Sequence, residues 1–259
     1  MILTIITVNL NNREGLEKTM NSVFGQTFKD FEYIIIDGGS TDGSEQVISQ
    51  NQDRLAYWIS ETDSGIYQAM NKGIAIAKSE YLLFLNSGDF LVDPDTLGKV
   101  APNLDSADIV FGDLRILHKG TYKDHSFPDK LTFSYFIQKS LGHPAAFIKR
   151  ELFDQVGRYD ESMAICADWG FFIRAVGLYN ATYLHIPMII SVFNTDGVSS
   201  LPKNHEMMYQ ERINLLKNDF SFCESDYESY LDLKENLTAL RRSKPYKILK
   251  FLGLPKYQS

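Results

Sequence analysis

The sequence predicts an α/β protein with a mixed sheet flanked by helices and a helical C-terminal appendage. Over Ile2–Leu85, short apolar runs typical of buried strands alternate with segments whose apolar residues recur at helical spacing. Such alternation is typical of a sheet whose neighbouring strands are parallel. After Pro94 the alternation becomes irregular, and from His205 onward the pattern is mostly helical. We therefore expect one α/β domain over residues 1–202 and a helical appendage over residues 203–259.

The individual elements follow from apolar runs and helical spacing. The predicted parallel strands are Ile2–Val8, Tyr33–Asp37, Tyr57–Ser60 and Tyr81–Leu85. Asn12 is placed to cap the first intervening helix, Val47 lies in the second, and Met70 lies on the apolar face of the third. The elements predicted after Pro94 are strands at 108–117, 146–148 and 181–193, and helices around Phe133 and over Asp168–Leu178.

Composition excludes several functional classes. The 259 residues are 44% hydrophobic and 23% charged, with a formal net charge of −7, so a nucleic-acid partner is not expected. Cys166 and Cys223 lack zinc spacing and are too few for a disulfide framework, which favours a reducing compartment. The apolar start "MILTIITV" is too short for a secretory signal or a membrane span. We expect a cytoplasmic protein, either soluble or peripheral to a membrane.

The segment 241–256 differs in charge from the rest of the chain. It contains Arg and Lys but no acid, interleaved with aromatic and aliphatic residues such as Tyr246, Ile248 and Phe251. A basic amphipathic tail of this kind suits the surface of an anionic membrane, here the inner face of the cytoplasmic membrane. The alternative is a solvated helix end that packs on its own domain or on a neighbouring subunit of a homo-oligomer.

Polar turns follow the predicted strands, at the edge where open α/β sheets bind ligands. The turn "DGGSTDGS" begins with Asp37, whose carboxylate can accept a hydrogen bond from a base or sugar hydroxyl; a plain Gly-rich turn is the alternative. The turn "NSGD" occupies residues 86–89. In "ETDSGIYQAMNKGI", Asp63 precedes a helix, and Lys72 can pair with a phosphate or remain a solvated helix lysine.

If a nucleotide diphosphate binds at this edge, it brings concentrated negative charge, which must be neutralised when its bond to a transferred group breaks. The hard cations Mg²⁺ and Mn²⁺ do so, and they often take one or two carboxylates together with phosphate and water. Asp89 is the carboxylate predicted to anchor such a divalent metal. Asn86 is predicted to be a neutral oxygen donor or a sugar contact.

Four motifs, in this order and spacing, resemble the nucleotide-sugar half of bacterial family 2 glycosyltransferases of the GT-A fold: "TVNLNN", "DGGSTDGS", "ETDSGIYQAMNKGI" and "FLNSGD". The resemblance is dense over Ile2–Asp89 and looser towards Ser200. It implies a nucleoside pocket at the first motif, a base contact at the second and a nucleoside or diphosphate contact at the third. The predicted donor-binding set is Thr7, Val8, Asn9, Asp37, Asp63, Lys72, Asn86 and Ser87.

The resemblance also implies that Asp89 closes the family's DxD-type metal motif, although Asn86 and Ser87 stand where an acid is often found. A flexible loop often closes over the donor in such enzymes, and "FNTDGVSS" at 193–200 resembles it. Many relatives carry a histidine in that loop. Residues 194–196 are Asn, Thr and Asp here, so a third protein ligand to the metal is not carried over.

A second cluster follows the sheet. The segment "CADWGFFIRA" matches the family's "EDY" or "ADW" type motif, which implies that Asp168 is the catalytic base; a helix N-cap is the alternative. An inverting transfer needs one carboxylate to take the proton of the attacking hydroxyl. His143, in "LGHPAAF", can contact the diphosphate or the acceptor; a structural histidine is the alternative. Trp169 is predicted to pack in the core or to stack on an acceptor ring.

Together these features predict an inverting, metal-dependent glycosyltransferase that takes a UDP-linked sugar. The expected acceptor is a saccharide or a lipid-linked saccharide in cell-surface polysaccharide biosynthesis. A sugar nucleotidyltransferase is one alternative, but it needs a basic, Gly-rich loop that is not evident near the first strand. A noncatalytic nucleotide-sugar binding module is the other alternative, and the presence of Asp37, Asp89 and Asp168 argues against it.

Overall fold

The computed structural model describes residues 1–251. Its strands are β1 Leu3–Asn9, β2 Phe31–Asp37, β3 Tyr57–Ser60, β4 Tyr81–Phe84, β5 Phe90–Leu91, β6 Ile109–His118, β7 Thr121–His125, β8 Ala146–Lys149 and β9 Tyr183–Asn194. Its α-helices are α1 Arg13–Phe24, α2 Ser44–Gln50, α3 Ile66–Ile76, α4 Thr96–Val100, α5 Phe133–Phe136, α6 Leu152–Gln155, α7 Ala167–Gly177, α8 His205–Asp219, α9 Glu224–Arg242 and α10 Lys244–Phe251.

All these strands belong to one mixed sheet with the order β3-β2-β1-β4-β8-β6-β9-β5, and β7 pairs with β6. The first four strands are parallel, whereas β8 runs antiparallel to both β4 and β6. The parallel register sets Asn9 opposite Asp37 and Asp37 opposite Ser60. These three polar residues therefore meet at the carboxyl edge of the sheet. The predicted α/β fold with a mixed sheet is confirmed.

The core explains why these segments form strands and helices. All residues of β1 and β4 are buried, as a central strand covered on both faces requires. Helix α1 begins after Asn12, whose side chain caps the helix by accepting a hydrogen bond from the Gly15 amide. Helix α3 packs closely on β1, because a β-carbon built on Gly73 would lie 2.6 Å from the side chain of Ile6. A side chain at position 73 would push α3 away from β1, so the glycine allows the two elements to pack closely.

The chain divides into two compact units, one from Met1 to Arg212 and one that begins at Ile213. The first unit contains the whole sheet and the first half of α8. In the second unit, α9 and α10 follow the end of α8. Residues 252–256 of the predicted basic tail lie outside the described residues. Within residues 1–251, the helices fall short of the length and apolarity that crossing a membrane requires.

Candidate active site

Asp37 is held at the end of β2 by hydrogen bonds from three neighbouring residues. Its carboxylate is fully buried and accepts bonds from Asn9 Nδ2 at 2.7 Å, Ser60 Oγ at 2.6 Å, and the amide and hydroxyl of Ser40 at 2.9 and 2.6 Å. Burial raises the pKa of this carboxyl, but the bonds from Ser40, Ser60 and Asn9 outweigh burial and hold it below its ordinary value. Asp37 therefore carries a charge that is satisfied by the protein itself.

The residues beside Asp37 on β1 differ in what they offer a ligand. The hydroxyl of Thr7 is fully buried and bonds the carbonyl oxygen of Leu85 at 2.7 Å and the hydroxyl of Tyr33 at 2.9 Å, so Thr7 has no surface at the site in this structure. Val8 is also buried. Asn9 is buried too, but its Oδ1 has no hydrogen-bond partner among the described residues. Among Thr7, Val8 and Asn9, Asn9 is therefore the residue that offers an unpaired acceptor atom to a ligand.

Asp63 lies across the sheet edge from Asn9. A β-carbon built on Gly38 would lie 3.5 Å from the Asn9 carbonyl oxygen and 3.6 Å from Asp63 Oδ2, so the three positions meet. Lys72 Nζ lies 2.5 Å from Asp63 Oδ1 and 2.6 Å from Glu61 Oε1. Hydrogen bonds to Asp63 and Glu61 raise the pKa of Lys72. Asp63 Oδ2 is buried without a hydrogen-bond partner among the described residues, so Asp63 and Asn9 each keep an unpaired acceptor atom.

The turn 86–89 is held by hydrogen bonds from α1 and its N-cap residue, Asn12. Thr19 Oγ1 accepts a hydrogen bond from the Gly88 amide at 3.0 Å and donates to the Asp89 carbonyl oxygen at 2.6 Å. Asn12 Nδ2 donates to the Ser87 carbonyl oxygen at 3.0 Å. Gly88 has a φ of 104°, a conformation that favours glycine, and it lets the chain reverse within this short turn. Ser87 therefore contributes its backbone to the turn.

Asp89 has an environment opposite to that of Asp37. Its side chain is buried, and its Oδ1 accepts a bond from the backbone amide of Asn194 at 2.8 Å. Burial raises the pKa of Asp89 to about 7, although the Asn194 amide and the nearby His143 lower it in part. A buried carboxylate with so little compensation is poised to accept either a proton or a cation. Asn194 ends β9, so the loop that was predicted to close over the donor begins against this carboxylate.

His143 joins the donor-side turn to the predicted base. Its Nε2 lies 3.1 Å from Asn86 Nδ2, and its Nδ1 lies 3.1 Å from Asp168 Oδ2. Because an amide nitrogen only donates, Nε2 accepts from Asn86 and the ring proton lies on Nδ1, where it donates to Asp168. Tyr67 has one hydroxyl proton, which it shares between the carbonyl oxygen of Ile165 and, at 3.1 Å, Asp168 Oδ1. The structure thus places His143 between two predicted site residues.

Asp168 lies in the first turn of α7. The N-cap of that helix is Cys166, so the alternative role of Asp168 as a helix N-cap is wrong. Burial raises the pKa of Asp168, but the hydrogen bond from His143, that ring's charge when protonated, the Trp169 amide and Tyr67 together hold the pKa below its ordinary value. The side chain remains 19% exposed. An ionised and partly accessible carboxylate is what a general base requires.

Glu211 of α8 fixes the segment that precedes Asp168. Its carboxylate accepts bonds from the backbone amides of Ala164, Ile165 and Cys166 at 2.6, 3.2 and 2.9 Å. These amides lead into the first turn of α7, where unsatisfied N–H groups favour a negative partner. Glu211 therefore stabilises the start of α7 from a distant part of the chain.

Trp169 is a core residue in this structure. The residue is 1% exposed, its Nε1 donates to the Phe136 carbonyl oxygen at 2.7 Å, and the guanidinium of Arg212 lies 4.9 Å from its ring centroid. Because the ring is enclosed, an acceptor sugar has no access to it here. Trp169 therefore packs in the core, and its ring has no exposed face on which a sugar could stack.

Several residues at the site escaped sequence reasoning because their contacts span long sequence separations. Tyr67 is the clearest case: it lies one residue into α3, inside a quoted motif, yet its partner Asp168 comes 101 residues later. Ser60 and Thr19 looked like ordinary polar residues of a strand and a helix. The register of β2 against β3 is what brings Ser60 to Asp37. A polar residue in the final position of a predicted strand was the available signal for Ser60.

The chain matches the family model "Glycosyl transferase family 2" over residues 4–172. It is 30% identical over 203 residues to a "PGL/p-HBAD biosynthesis glycosyltransferase" of Mycobacterium bovis (strain BCG / Pasteur 1173P2), covering 76% of this chain and 78% of that one. It is 32% identical over 206 residues to an uncharacterized glycosyltransferase of Mycobacterium tuberculosis, covering 76% and 77% of the two chains.

Solved structures share the fold at low identity. Residues 1–349 of TarS from S. aureus in complex with UDP align with a TM-score of 0.66 and 19% identity, over 97% of this chain and 75% of that one. Another crystal structure of the same TarS fragment aligns over 83% of this chain and 64% of that one. The mannosyltransferase PcManGT from Pyrobaculum calidifontis, in complex with GDP-Man and Mn²⁺, has a TM-score of 0.57 and 14% identity. These likenesses identify the GT-A type of fold.

Proposed function

This chain belongs to glycosyl transferase family 2, and on that basis we propose that it transfers a sugar from a UDP-linked donor to a hydroxyl group with inversion at the anomeric carbon. The observation that supports this most is the bridge from the turn 86–89 to Asp168 through His143. The turn is proposed to bind the donor phosphates, and Asp168 is proposed to bind the acceptor. The side chain of His143 contacts both.

Asp168 is the proposed base. Its pKa is held below the ordinary aspartate value, so the carboxylate is ionised at neutral pH and can accept a proton. In a direct displacement, the acceptor hydroxyl attacks the anomeric carbon on the face opposite the leaving diphosphate. The hydroxyl proton passes to Asp168 as the new carbon–oxygen bond forms, and the bond to the diphosphate oxygen breaks with its electron pair. One carboxylate is sufficient for this reaction.

His143 and Tyr67 are proposed to position that base. His143 donates to one carboxylate oxygen of Asp168 and Tyr67 donates to the other, so the plane of the carboxylate is fixed from both sides. Asn86 in turn fixes the tautomer of His143 by donating to Nε2. An acid in place of Asn86 would favour a proton on Nε2 and a positive ring beside Asp168, which would make the base weaker.

The nucleoside is proposed to bind between β1 and the start of α3. Two buried acceptors in this region, Asn9 Oδ1 and Asp63 Oδ2, have no hydrogen-bond partners among the described residues. A β-carbon built on Gly38 would lie 3.5 Å from the Asn9 carbonyl oxygen and 3.6 Å from Asp63 Oδ2. A uracil ring presents an N–H donor that such acceptors would satisfy. Asp37 then acts indirectly, since it orients Asn9 through the 2.7 Å bond to Nδ2. The GDP-Man complex of PcManGT makes guanosine diphosphate sugars the second class of donor to test.

The donor set of the turn 86–89 fits a divalent metal of the Mn²⁺ or Mg²⁺ class. Asp89 offers a buried carboxylate that is poorly compensated, and Asn86 Oδ1 is buried without a hydrogen-bond partner among the described residues. Groups of three or more His, Cys, Asp or Glu side chains suited to a metal do not occur within the described residues. Such a cation would take its other ligands from phosphate and water. When bound, it would stabilise the charge that develops on the departing diphosphate.

The acceptor is proposed to be a saccharide or a lipid-linked saccharide used in cell-surface polysaccharide biosynthesis, with the enzyme in the cytoplasm. The name of the Mycobacterium bovis relative describes a glycosyltransferase of a biosynthetic pathway, which supports an acceptor that belongs to a biosynthetic pathway. The site of Asp168 is open enough for a hydroxyl to reach, because the side chain is 19% exposed.

The test is nucleotide release from a panel of UDP-sugars, with GDP-mannose included, in the presence of Mn²⁺ and of a chelator. The proposal expects one donor to release its nucleotide when saccharide acceptors are added, with product of inverted configuration by NMR. Binding of a donor without turnover across all acceptors would favour a noncatalytic binding module. Formation of a nucleotide sugar from UTP and a sugar phosphate would instead show a nucleotidyltransferase.

A further inference from the structure

Helix α10 has two faces that differ in burial. Tyr246 and Leu249 are half-buried, whereas Ile248 is 58% exposed and Phe251 is 89% exposed. Lys244 and Lys247 are exposed as well and precede Ile248 and Phe251 by four residues each. Residues four apart lie on the same side of a helix. One face of α10 is therefore used for packing, while the other presents two large apolar and two basic side chains to solvent.

The charge around α10 is separated from the charge of the rest of the protein. The segment 241–251 contains five basic residues and no acid, although the chain as a whole has a formal net charge of −7. The basic residues are Arg241, Arg242, Lys244, Lys247 and Lys250. An anionic bilayer attracts such a segment, and lysine stems can lie along apolar surface while the ammonium group stays at the headgroups.

From this face and this charge we infer that α10 docks on an anionic lipid bilayer, with Ile248 and Phe251 inserted at the interface and Lys244 and Lys247 against lipid headgroups. This inference goes beyond the transfer reaction, because it concerns a surface of the second unit, whereas the residues proposed for the reaction belong to the first. It chooses between the two roles that the sequence alone left open for the tail. The half-buried face with Tyr246 and Leu249 accounts for the packing, and the exposed face is left for the membrane.

A second copy of the chain fits this face less well than a bilayer does. Protein interfaces are depleted of lysine at their buried core, whereas helices that lie on membranes carry Lys beside Phe and Leu. Exposed leucines also occur on α9, at Leu233 and Leu237, but Asp232 and Glu235 flank them. An anionic surface repels those acids. Leu233 and Leu237 are therefore not part of the proposed membrane face.

The test is co-sedimentation of the full-length protein with vesicles of phosphatidylcholine alone and of phosphatidylcholine with one third phosphatidylglycerol. We expect binding to the anionic vesicles that weakens as salt is raised, because exposed charges are screened. Ile248→Ser/Phe251→Ser should weaken it about tenfold or more. Lys244→Glu/Lys247→Glu should weaken it roughly twentyfold or more, since each lysine contributes about fivefold. Tyr122→Ser/Lys123→Glu on the exposed strand β7 is the matched control and should bind as the native protein does.

Light scattering and donor binding accompany the vesicle assay on the same variants. Unchanged far-UV circular dichroism shows that the variants keep their helices, and unchanged UDP binding shows that the first unit, which contains the site, is intact. Absence of binding to anionic vesicles by the native protein would overturn the inference. So would equal binding by the α10 variants and the native protein. A change of oligomeric mass in the variants with unchanged vesicle binding would assign the face to a second copy.

Discussion

Asp37 ends β2 and Asp89 lies in the turn after β4, and both are buried, yet the protein treats their charges in opposite ways. Asp37 accepts four hydrogen bonds from Asn9, Ser40 and Ser60, and its pKa is lowered. Asp89 accepts a bond from the Asn194 amide, and burial raises its pKa to about 7. A carboxylate that is already satisfied serves the fold, whereas one left short of partners is available to a ligand.

Four predictions test this division between a structural turn at Asp37 and a reactive turn at Asp89, beginning with the largest effect. Asp168→Asn removes the proposed base, which His143 connects to the turn of Asp89. We expect the transfer rate to fall by about 10³-fold, within the range that general bases contribute, while UDP binding is retained. Steady-state kinetics and calorimetric titration with UDP measure the two quantities. Asp154→Asn, on the exposed side of α6, is the control. Full activity in Asp168→Asn would show that another group takes the proton.

Asp37→Asn should lower the free energy of unfolding by roughly 2 to 4 kcal/mol, because the amide nitrogen cannot accept the bonds from Ser40 or Ser60 and leaves buried donors unpaired. Since the folded pKa of Asp37 is lowered, its contribution is present above the unfolded pKa and disappears as pH falls through the folded pKa. Urea denaturation at several pH values measures this, with Asp53→Asn as an exposed control. An unchanged free energy of unfolding in Asp37→Asn would contradict the claim that Asp37 stabilises the fold.

Asp89→Asn should have the opposite sign in stability when a chelator is present. The folded pKa of Asp89 is raised to about 7, so its protonated form favours folding at low pH and that advantage is lost as pH rises from about 4 to about 7. We expect the variant to gain roughly 2 to 3 kcal/mol over the native protein at pH 8, and the gain to shrink towards pH 4. Denaturation curves at pH 4.5 and 8 compare the two. If the variant were less stable than the native protein at pH 8, the Asp89 carboxylate would stabilise the fold, as the Asp37 carboxylate is expected to do.

The smallest effect concerns His143. In His143→Asn the amide nitrogen stands near Nδ1 and can still donate to Asp168, whereas in His143→Gln it stands near Nε2. We expect the Gln variant to lose about tenfold or more in kcat and the Asn variant to lose less than about fivefold, with KM for the donor nearly unchanged in both. His205→Gln, at the exposed start of α8, is the control. Equal losses in the two His143 variants would leave His143 only a packing role.

The sequence predicted the strands and helices well where apolar periodicity is strong. It missed β5, which has two residues, and β7, whose strand residues are polar and mostly exposed, because neither shows an apolar pattern. The role proposed for Asp168 came from motif resemblance, and that proposed for Asp89 came from the charge of a diphosphate together with the resemblance. The His143 bridge depends on the antiparallel strand β8, which begins just after the turn of His143 and lies between β4 and β6. Apolar patterns carry no information on such pairings. The full satisfaction of Asp37 likewise requires Ser60, which only strand register brings near.

The most direct test of this account is the binding of Mn²⁺ to the native protein and to Asp89→Asn in the presence of UDP, followed by the electron paramagnetic resonance signal of free Mn²⁺. The account predicts that the native protein with UDP removes the free signal and that Asp89→Asn binds Mn²⁺ at least about tenfold more weakly, with UDP binding in chelator unchanged. Equal Mn²⁺ affinity in the two proteins would contradict the claim that Asp89 is the carboxylate reserved for a cation.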